Sequence, residues 1–458
     1  MKQICLTGLL TLFWSLAMAQ ERQLVSLDYE QFRLSNGLTV VLQRDTRVPM
    51  IAVQVWYNTG SASEPSGSHG FAHLLEHLMF EGTPHQEPGE FDRLVESAGG
   101  VSNALTSYDH TYYYTYLPSN ALDLMLYLES DRMGYLGEAI TAEKLDRQRE
   151  VVKNEYYYNY ESKPGGKKAI LMSGLLFPEG HPYHHPVIGN FDDLDAAQPA
   201  DITAFFKRFY HPGNASLTIV GDFDLAYARS RIEYWFGGLK GGALSSKIPT
   251  PATQITEPSY AVLEDNVEAA QLVLQYPTLP VFAEGDAAMD VLAQLLGKGR
   301  SALLYRKLVT ELQLAYDLRV KHQSHELSSY FEISATARPG VALKTILGVI
   351  DAELSGIKGQ APEEDALIRA VNQIELNWLK NMQSFDRQAF NLSYYYWKKG
   401  DPAFINEDFN RYTSLKVADL SRAAREFLRT DRRAVLSIVP KGQSELGIES
   451  NPDPARKK

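Results

Sequence analysis

The sequence predicts an α+β protein made of two related domains, each a mainly antiparallel sheet flanked by helices. Its 458 residues are too many for one ordinary hydrophobic core and suit two domains of about 200 residues. Apolar strand-like runs and long helical patterns alternate in both halves, which is typical of α+β domains. One helix-then-strand pattern also occurs twice, and this indicates a duplicated chain.

The repeat is clearest in two segments that begin 218 residues apart, at Asp201 and Asp419. In both, an aspartate is expected to cap a helix whose apolar residues lie four, five and eight positions later, and a strand follows. Two further pairs of segments follow a similar offset in the same order: 51–57 with 270–276, and 70–80 with 289–299. Helix-then-strand patterns also arise by chance, but three ordered agreements favour duplication.

The expected organisation has four parts. These are a signal peptide (1–19), an N-terminal zinc-binding catalytic domain (20–242), a linker (243–259) and a homologous, noncatalytic C-terminal domain (260–458). The linker is expected because residues 240–259 are rich in Gly, Ser, Pro and Thr.

The first 19 residues have the pattern of a secretory signal peptide. Lys2 precedes an apolar run, and Ala17 and Ala19 supply the small residues before a cleavage site. A membrane anchor is the alternative, but the run is shorter than the ~20 apolar residues that a span needs. Cleavage near Ala19 would remove Cys5, the one cysteine of the chain, so we expect a thiol-free periplasmic or secreted protein.

Composition excludes several classes of function. Asp and Glu number 56 against 45 Lys and Arg, and the net charge of −11 argues against nucleic acid as the main partner. Outside the predicted signal peptide, the sequence has no stretch that is long and apolar enough to span a membrane. With one cysteine, a metal site must be built from His, Asp and Glu.

The most informative motif is HLLEH, at residues 73–77 of a predicted buried helix. His73 and His77 lie four residues apart on one helix face, where two imidazoles can bind one Zn²⁺. Glu76 lies beside them and can act as the general base that takes a proton from water at the metal. The spacing is the inverted form of the HExxH zinc motif. A surface helix with two incidental histidines is the alternative, but the neighbouring residues are too apolar for it.

A catalytic zinc needs a third protein ligand. A second predicted helix, capped by Thr141, offers Glu150 and Glu155. Spacing alone does not choose between them, and either could be an exposed helix glutamate.

These residues resemble the pitrilysin/insulinase family of zinc metallopeptidases, in its short bacterial branch that is similar to the mitochondrial processing peptidases. The resemblance covers nearly all of residues 30–440 and lies in six segments: 73–77, 80–83, 100–106, 148–155, 210–222 and 301–305. It implies one Zn²⁺ per chain held by His73, His77 and Glu155, with Glu76 as the catalytic base. Where the family often has a second glutamate near the metal, this chain has Gln148.

The resemblance also implies how a peptide substrate is held. A peptide would add as a strand to the sheet edge formed by residues 99–106, with Asn103 and Ala104 in contact with its backbone. Asn103 could equally be a turn residue. The noncatalytic half of the family supplies an Arg and a Tyr, seven residues apart, that contact the substrate or the transition state. Here Tyr316 is present as the substrate-binding Tyr, while Val309 replaces the Arg.

This departure leads to the hypothesis that the chain is the zinc-bearing subunit of a two-chain protease. A homologous noncatalytic subunit would supply the Arg/Tyr pair and the other half of a clamshell, and a homodimer is the alternative. A noncatalytic assembly subunit and a zinc-storage protein are the rival functions. The cluster of histidines at 181–185 is interpreted as a structural loop, because its prolines break helical spacing.

Overall fold

The computed structural model describes residues 24–246, 248 and 255–448. The predicted signal peptide, Cys5 and part of the predicted linker lie outside the described residues. Within the described residues no helix has the length and apolar character that a membrane crossing requires.

The first half of the chain contains six strands and eight helices among the described residues. The strands are β1 (Glu30–Arg33), β2 (Thr39–Arg44), β3 (Met50–Tyr57), β4 (Val101–Thr106), β5 (Thr111–Pro118) and β6 (Ala215–Gly221). The helices are α1 (Phe71–Leu78), α2 (Glu90–Ser97), α3 (Leu122–Ala139), α4 (Ala142–Tyr156), α5 (Lys168–Leu176), α6 (Phe191–Ala196), α7 (Pro199–Phe209) and α8 (Leu225–Phe236). A π-helical turn over Tyr157–Ser162 continues α4.

The second half contributes five strands and seven helices among the described residues. The strands are β7 (Ser259–Asp265), β8 (Gln271–Thr278), β9 (Ala315–Gln323), β10 (Ser329–Ala337) and β11 (Ala434–Pro440). The helices are α9 (Asp286–Gly297), α10 (Leu303–Tyr305), α11 (Leu343–Gly359), α12 (Glu364–Asn381), α13 (Phe385–Lys399), α14 (Ile405–Thr413) and α15 (Val417–Phe427). A π-helical turn over Arg306–Glu311 follows α10.

Each half forms one sheet, and the two sheets share a topology. The first has the strand order β1-β2-β6-β3-β5-β4 and the second β7-β11-β8-β10-β9. One parallel pair occurs in each sheet, β2 with β6 and β7 with β11, and the remaining pairs are antiparallel. The predicted α+β fold, with two mainly antiparallel sheets flanked by helices, is therefore confirmed.

The strand patterns explain these positions. All seven residues of β6 are buried, as expected for a central strand covered on both faces. In β4 exposed residues alternate with half-buried ones, which is typical of an edge strand with one covered face. β4 and β9 are therefore the free edges on the same side of their respective sheets.

The repeated helices begin slightly earlier than the sequence predicts. α7 begins at Pro199 and α15 at Val417, so Asp201 and Asp419 are third residues of their helices rather than N-caps. Each carboxylate accepts a hydrogen bond from the backbone N–H of the residue before the helix, at 3.0 and 2.9 Å. The aspartates still stabilise the helix starts, but as the returning half of a capping box.

Each sheet is covered by a helix from the other half of the chain. Met172 and Leu176 of α5 pack with Leu436 and Ile438 of β11. In return, Phe385, Ala389 and Leu392 of α13 pack on the first sheet in a cluster with Val41, Ala52 and Val220. The two halves consequently share cores in addition to the large apolar core that each builds for itself.

Candidate metal centre and substrate edge

Helix α1 carries the HLLEH motif between an apolar face and a polar face. Phe71, Leu74, Leu75 and Leu78 are buried in the core of the first half. Burial of these side chains fixes the rotation of the helix, because they occupy its core-facing stripe. His73, Glu76 and His77 are half-buried and point away from that core.

A buried carboxylate fixes the beginning of α1. Glu64 accepts hydrogen bonds from the backbone N–H groups of Gly70 and Ala72, at 2.9 and 2.8 Å. Gly70 has a φ of 102°, and a Cβ there would lie 2.8 Å from the carbonyl oxygen of Ile188. Burial raises the pKa of Glu64, while the two backbone hydrogen bonds act in the opposite direction. The turn before His73 is therefore held by a tight backbone approach and a helix-capping acid.

The structure brings His73, His77 and Glu155 together. The Oε2 atom of Glu155, at the end of α4, lies 3.5 Å from Nε2 of His73 and 3.4 Å from Nε2 of His77. The two imidazole rings are 4.8 Å apart and nearly perpendicular, at 77°. Among the described residues this is the one group of three His, Cys, Asp or Glu side chains close enough to hold a metal.

These separations fit a zinc ion. Atoms that lie about 2.0–2.1 Å from Zn²⁺ at tetrahedral angles are roughly 3.3 Å from one another. The observed 3.4 and 3.5 Å agree with that value and exceed an ordinary N–H···O hydrogen bond. Two imidazole nitrogens and one carboxylate oxygen are also a donor set that leaves a position open for water or substrate.

The electrostatics of the cluster favour the metal-binding forms of its residues. Burial, with a smaller contribution from His77, lowers the pKa of His73 to about 4 and keeps that ring neutral. The contact with the His77 ring lowers the pKa of Glu155, and the neighbouring His73 adds to the effect. A neutral imidazole and an ionised carboxylate are the states that bind zinc.

Glu150, the other candidate for third ligand, points away from the cluster. Its side chain is 67% exposed and forms an ion pair with Lys153 at 3.5 Å. Five residues separate Glu150 from Glu155, so the two side chains lie on different faces of α4.

Glu76 lies between the histidine pair and the end of β4. Burial raises the pKa of Glu76, and hydrogen bonds from Thr106 together with the charge of His77 partly offset that rise. The hydroxyl of Thr106 donates to Oε2 of Glu76 at 2.5 Å. A carboxylate with a raised pKa beside a metal site is suited to taking up and releasing a proton.

Gln148 connects α4 to the segment that follows α1. Its side-chain amide donates to the carboxylate of Glu81, and Arg147 donates to the same carboxylate at 2.7 Å. Glu81 therefore joins the two helices that carry the candidate ligands. No hydrogen bond of the described residues links Gln148 directly to His73, His77 or Glu155.

The backbone of β4 presents hydrogen-bonding groups at a free sheet edge. Ser107 donates its N–H to the carbonyl of His110, so alternate residues Leu105, Asn103 and Val101 bond towards β5. The N–H groups of Ala104 and Thr106 therefore face the free side. Ala104 N–H is bonded to the side-chain oxygen of its neighbour Asn103 at 2.8 Å.

Tyr316 lies on β9, the free edge of the second sheet, and is 53% exposed. The guanidinium carbon of Arg338 lies 5.2 Å from the centre of its ring. Val309, which replaces the arginine that the family has at this position, packs against the core of the second half. Among the described residues no contact joins Tyr316 to the His73 cluster.

The second half has equivalents of the elements that carry the candidate site: α9 corresponds to α1, α12 to α4 and β9 to β4. These three elements line a cavity of about 560 Å³. Here the carboxylate of Asp290 is bonded to His322 at 2.9 Å and to the hydroxyl of Tyr412 at 2.6 Å. The other nitrogen of His322 lies 2.9 Å from the hydroxyl of Thr278. In the second half, hydrogen bonds among protein side chains therefore occupy the position that corresponds to His73, His77 and Glu155.

The histidine-rich loop at 181–185 bonds mainly to backbone atoms. Nδ1 of His181 accepts from the backbone N–H of Tyr183, and Nδ1 of His184 lies 2.6 Å from the carbonyl of Phe177. His185 stacks on His69, with ring centres 4.0 Å apart. This geometry supports the interpretation as a structural loop.

Comparisons with known proteins agree with this architecture. The sequence profile described as insulinase (peptidase family M16) matches residues 39–172, and that of the peptidase M16 inactive domain matches residues 196–374. A zinc protease, PqqE of Helicobacter pylori, is 31% identical over 420 residues, which are 90% of this chain and 93% of that protein. An uncharacterized zinc protease of Bacillus subtilis, YmxG, is 22% identical over 413 residues, covering 90% and 98% of the two chains.

Solved structures show the same fold. A protease from Helicobacter pylori superposes with a TM-score of 0.83 at 28% identity, covering 90% of this chain and all of that one (100%). The periplasmic protease PqqL of Escherichia coli gives 0.76 at 19% identity, and the match covers 93% of this chain but 49% of that protein. The fold and the sequence matches together place the chain in the insulinase family of peptidases, family M16.

Proposed function

We propose that the chain is a zinc metalloendopeptidase that hydrolyses peptides or unfolded segments. The single observation that carries the proposal is the cluster of His73, His77 and Glu155, whose separations of 3.4 and 3.5 Å fit tetrahedral zinc. Glu76 lies next to the cluster and is not used as a ligand, which leaves it free for proton transfer. The relatives named zinc proteases support the same activity.

In this proposal each residue of the site has a defined role. His73, His77 and Glu155 hold one Zn²⁺, which when bound supplies Lewis acidity that acidifies water and polarises a carbonyl. Glu76 accepts the proton of the attacking water through its free oxygen and then delivers it to the nitrogen of the leaving amine. Burial, which raises the pKa of Glu76, favours its uptake of the proton from the water.

The substrate backbone would pair with the free edge of β4. Extended peptides add to exposed sheet edges because the unpaired N–H and C=O groups supply hydrogen bonds. Ala104 offers such an N–H once the side chain of Asn103 moves aside. Val101 and Leu105, which are 70% and 44% exposed, flank Asn103 and would contact alternate substrate side chains.

We further propose that the chain is one half of a two-part protease that works in the periplasm or outside the cell. It spans about half of the fold neighbour PqqL, a periplasmic protease. A homologous noncatalytic chain would complete the clamshell and supply the Arg that Val309 replaces, with a homodimer as the alternative. Removal of residues 1–19 as a signal peptide, and the division into domains at 20–242 and 260–458, belong to the same proposal.

The decisive experiment compares the wild-type chain with Glu76→Gln in a quenched-peptide cleavage assay, alone and with its co-purifying partner. We expect the variant to keep one zinc per chain and to lose cleavage by at least about 100-fold, because general acid–base catalysis contributes 10²–10⁴-fold. Wild-type turnover by Glu76→Gln would refute the general-base role. Zinc binding without any zinc-dependent cleavage by the wild type would indicate a storage or assembly protein.

A further inference from the structure

Thr106 is the last residue of β4, and its polar groups on the free side of the strand are directed to Glu76. Its hydroxyl donates to Oε2 of Glu76 at 2.5 Å. Its backbone N–H, on the free side of the strand, also acts to lower the pKa of Glu76. One residue of the sheet edge therefore directs its hydroxyl and its backbone N–H to the general base of the proposed site.

The strand register explains why both donors of Thr106 are on the side of Glu76. In β4 the backbone groups of alternate residues face away from β5, and Thr106 is one of these residues. The next residue towards the start of the strand with the same orientation is Ala104, whose N–H becomes available to a peptide once the side chain of Asn103 moves aside. Because Thr106 faces Glu76, the edge open to a peptide ends two residues before the base.

The neighbouring side chains hold the hydroxyl of Thr106 in place. The hydroxyl of Thr111, directly opposite in β5, lies 3.4 Å away. Thr111 itself donates to the backbone carbonyl of Thr59 at 3.1 Å and lies 3.3 Å from the hydroxyl of Tyr210. The donor that reaches Glu76 is thus backed by buried groups rather than by solvent.

We propose that Thr106 is a positioning residue that fixes the carboxylate of Glu76 at a set register from the peptide-binding edge. One carboxylate oxygen is held by Thr106, so the other remains free to exchange a proton. The scissile bond would then be selected by its distance along β4 from Ala104. The proposal rests on the proposed peptidase function and adds to it the residue that couples substrate register to proton transfer.

Thr106→Val tests the proposal, because it removes the hydroxyl and keeps the branched shape. We expect kcat to fall roughly 10- to 100-fold, since a misplacement of about 1 Å can cost 100-fold. KM and zinc affinity should stay within about twofold of wild type, because the substrate edge and the ligands are untouched. Thr106→Ser should restore kcat to within about threefold, because it returns the donor.

Thr115→Val is the matched control. Thr115 lies on the neighbouring strand β5 and undergoes the same change, but its hydroxyl donates to Ser102 at 3.1 Å rather than to Glu76. We expect this variant to keep wild-type kcat. If Thr106→Val does not fold, Thr106→Ala, which removes the same donor, is compared with the wild type in its place.

Three results would overturn the proposal. They are an unchanged kcat in Thr106→Val, an equal loss in Thr106→Ser, and a fall in zinc affinity that parallels the fall in kcat. Crystal structures of the wild type and Thr106→Val give a readout that does not need activity, and we expect the Glu76 carboxylate to leave its wild-type position. If the wild type cleaves no peptide, the peptidase proposal fails, while an unmoved Glu76 in Thr106→Val refutes the positioning role separately.

Discussion

Individual residues of the candidate metal centre differ in how far the sequence alone identifies them. The spacing of His73, Glu76 and His77 is sufficient to identify them as candidate site residues, because residues three or four apart on a helix lie on the same face. The third ligand is different, since Glu150 and Glu155 lie on the same predicted helix and spacing allows both. The family resemblance implies Glu155, and the packed position of α4 brings Glu155 to both histidines and leaves Glu150 exposed.

The residues that orient the centre have no signal in the sequence. Thr106 is 30 positions from Glu76, and Arg147 is 66 positions from Glu81. Apolar periodicity reports which face of an element is buried, but it does not report which polar groups meet across elements. Thr106 and Glu81 do lie within the segments that resemble the family, at 100–106 and 80–83, yet the resemblance gives them no role.

At the scale of elements, the centre depends on the alignment of α1 with α4. Each helix carries part of the candidate ligand set. Glu81, in the segment after α1, connects the two helices by accepting hydrogen bonds from Arg147 and Gln148 on α4. Gln148 lies seven residues before Glu155, about two helical turns along α4. A change at Gln148 should therefore reach the metal through the position of the helix.

Gln148→Glu tests this connection. Two carboxylates, Glu81 and the new one, would then face each other, and we expect α4 to shift and zinc affinity to fall roughly 10-fold, the lower end of the effect of outer-shell changes. Adding Glu81→Gln should restore the affinity, because the amide and the carboxylate then exchange places and one negative charge remains beside Arg147. The measurement is zinc competition against a chromophoric chelator. A double variant as weak as Gln148→Glu, or a single variant as tight as wild type, would show that the connection does not position Glu155.

For the whole molecule, the sequence predicted two sheet-and-helix units and the fold confirms them. It did not predict that α5 covers the second sheet and α13 the first. A helix that packs on the sheet of the other half has the same apolar stripe as a helix that packs on the sheet of its own half. The periodicity of the helix therefore does not indicate which sheet it covers. The crossing helices imply that the two halves fold and unfold together.

Leu392→Ala tests this coupling. Leu392 is fully buried in the cluster with Val41, Ala52 and Val220, although it belongs to the second half of the sequence. We expect a loss of about 2–5 kcal/mol in the free energy of unfolding, typical of a buried leucine. Denaturation followed by Trp235 in the first half and Trp378 in the second should give one coincident transition, shifted equally.

Leu376→Ala is the control, because Leu376 lies on α12 and is 43% exposed. Its effect should be within about 0.5 kcal/mol, as for most surface substitutions. A shift in Leu392→Ala that appears only at Trp378 would mean that the halves unfold independently and that the shared packing of α13 is not stabilising.

His73, His77 and Glu155 are proposed to form one zinc centre, with Glu76 beside it as a base. The most direct test is titration of zinc into the metal-free wild type, Glu155→Gln, Glu150→Gln and Glu76→Gln. The wild type, Glu150→Gln and Glu76→Gln should each bind one zinc with similar affinity. Glu155→Gln should bind more than about 100-fold more weakly, a greater loss than removing an outer-shell partner causes. Wild-type affinity in Glu155→Gln, or loss of zinc in Glu150→Gln, would contradict the account.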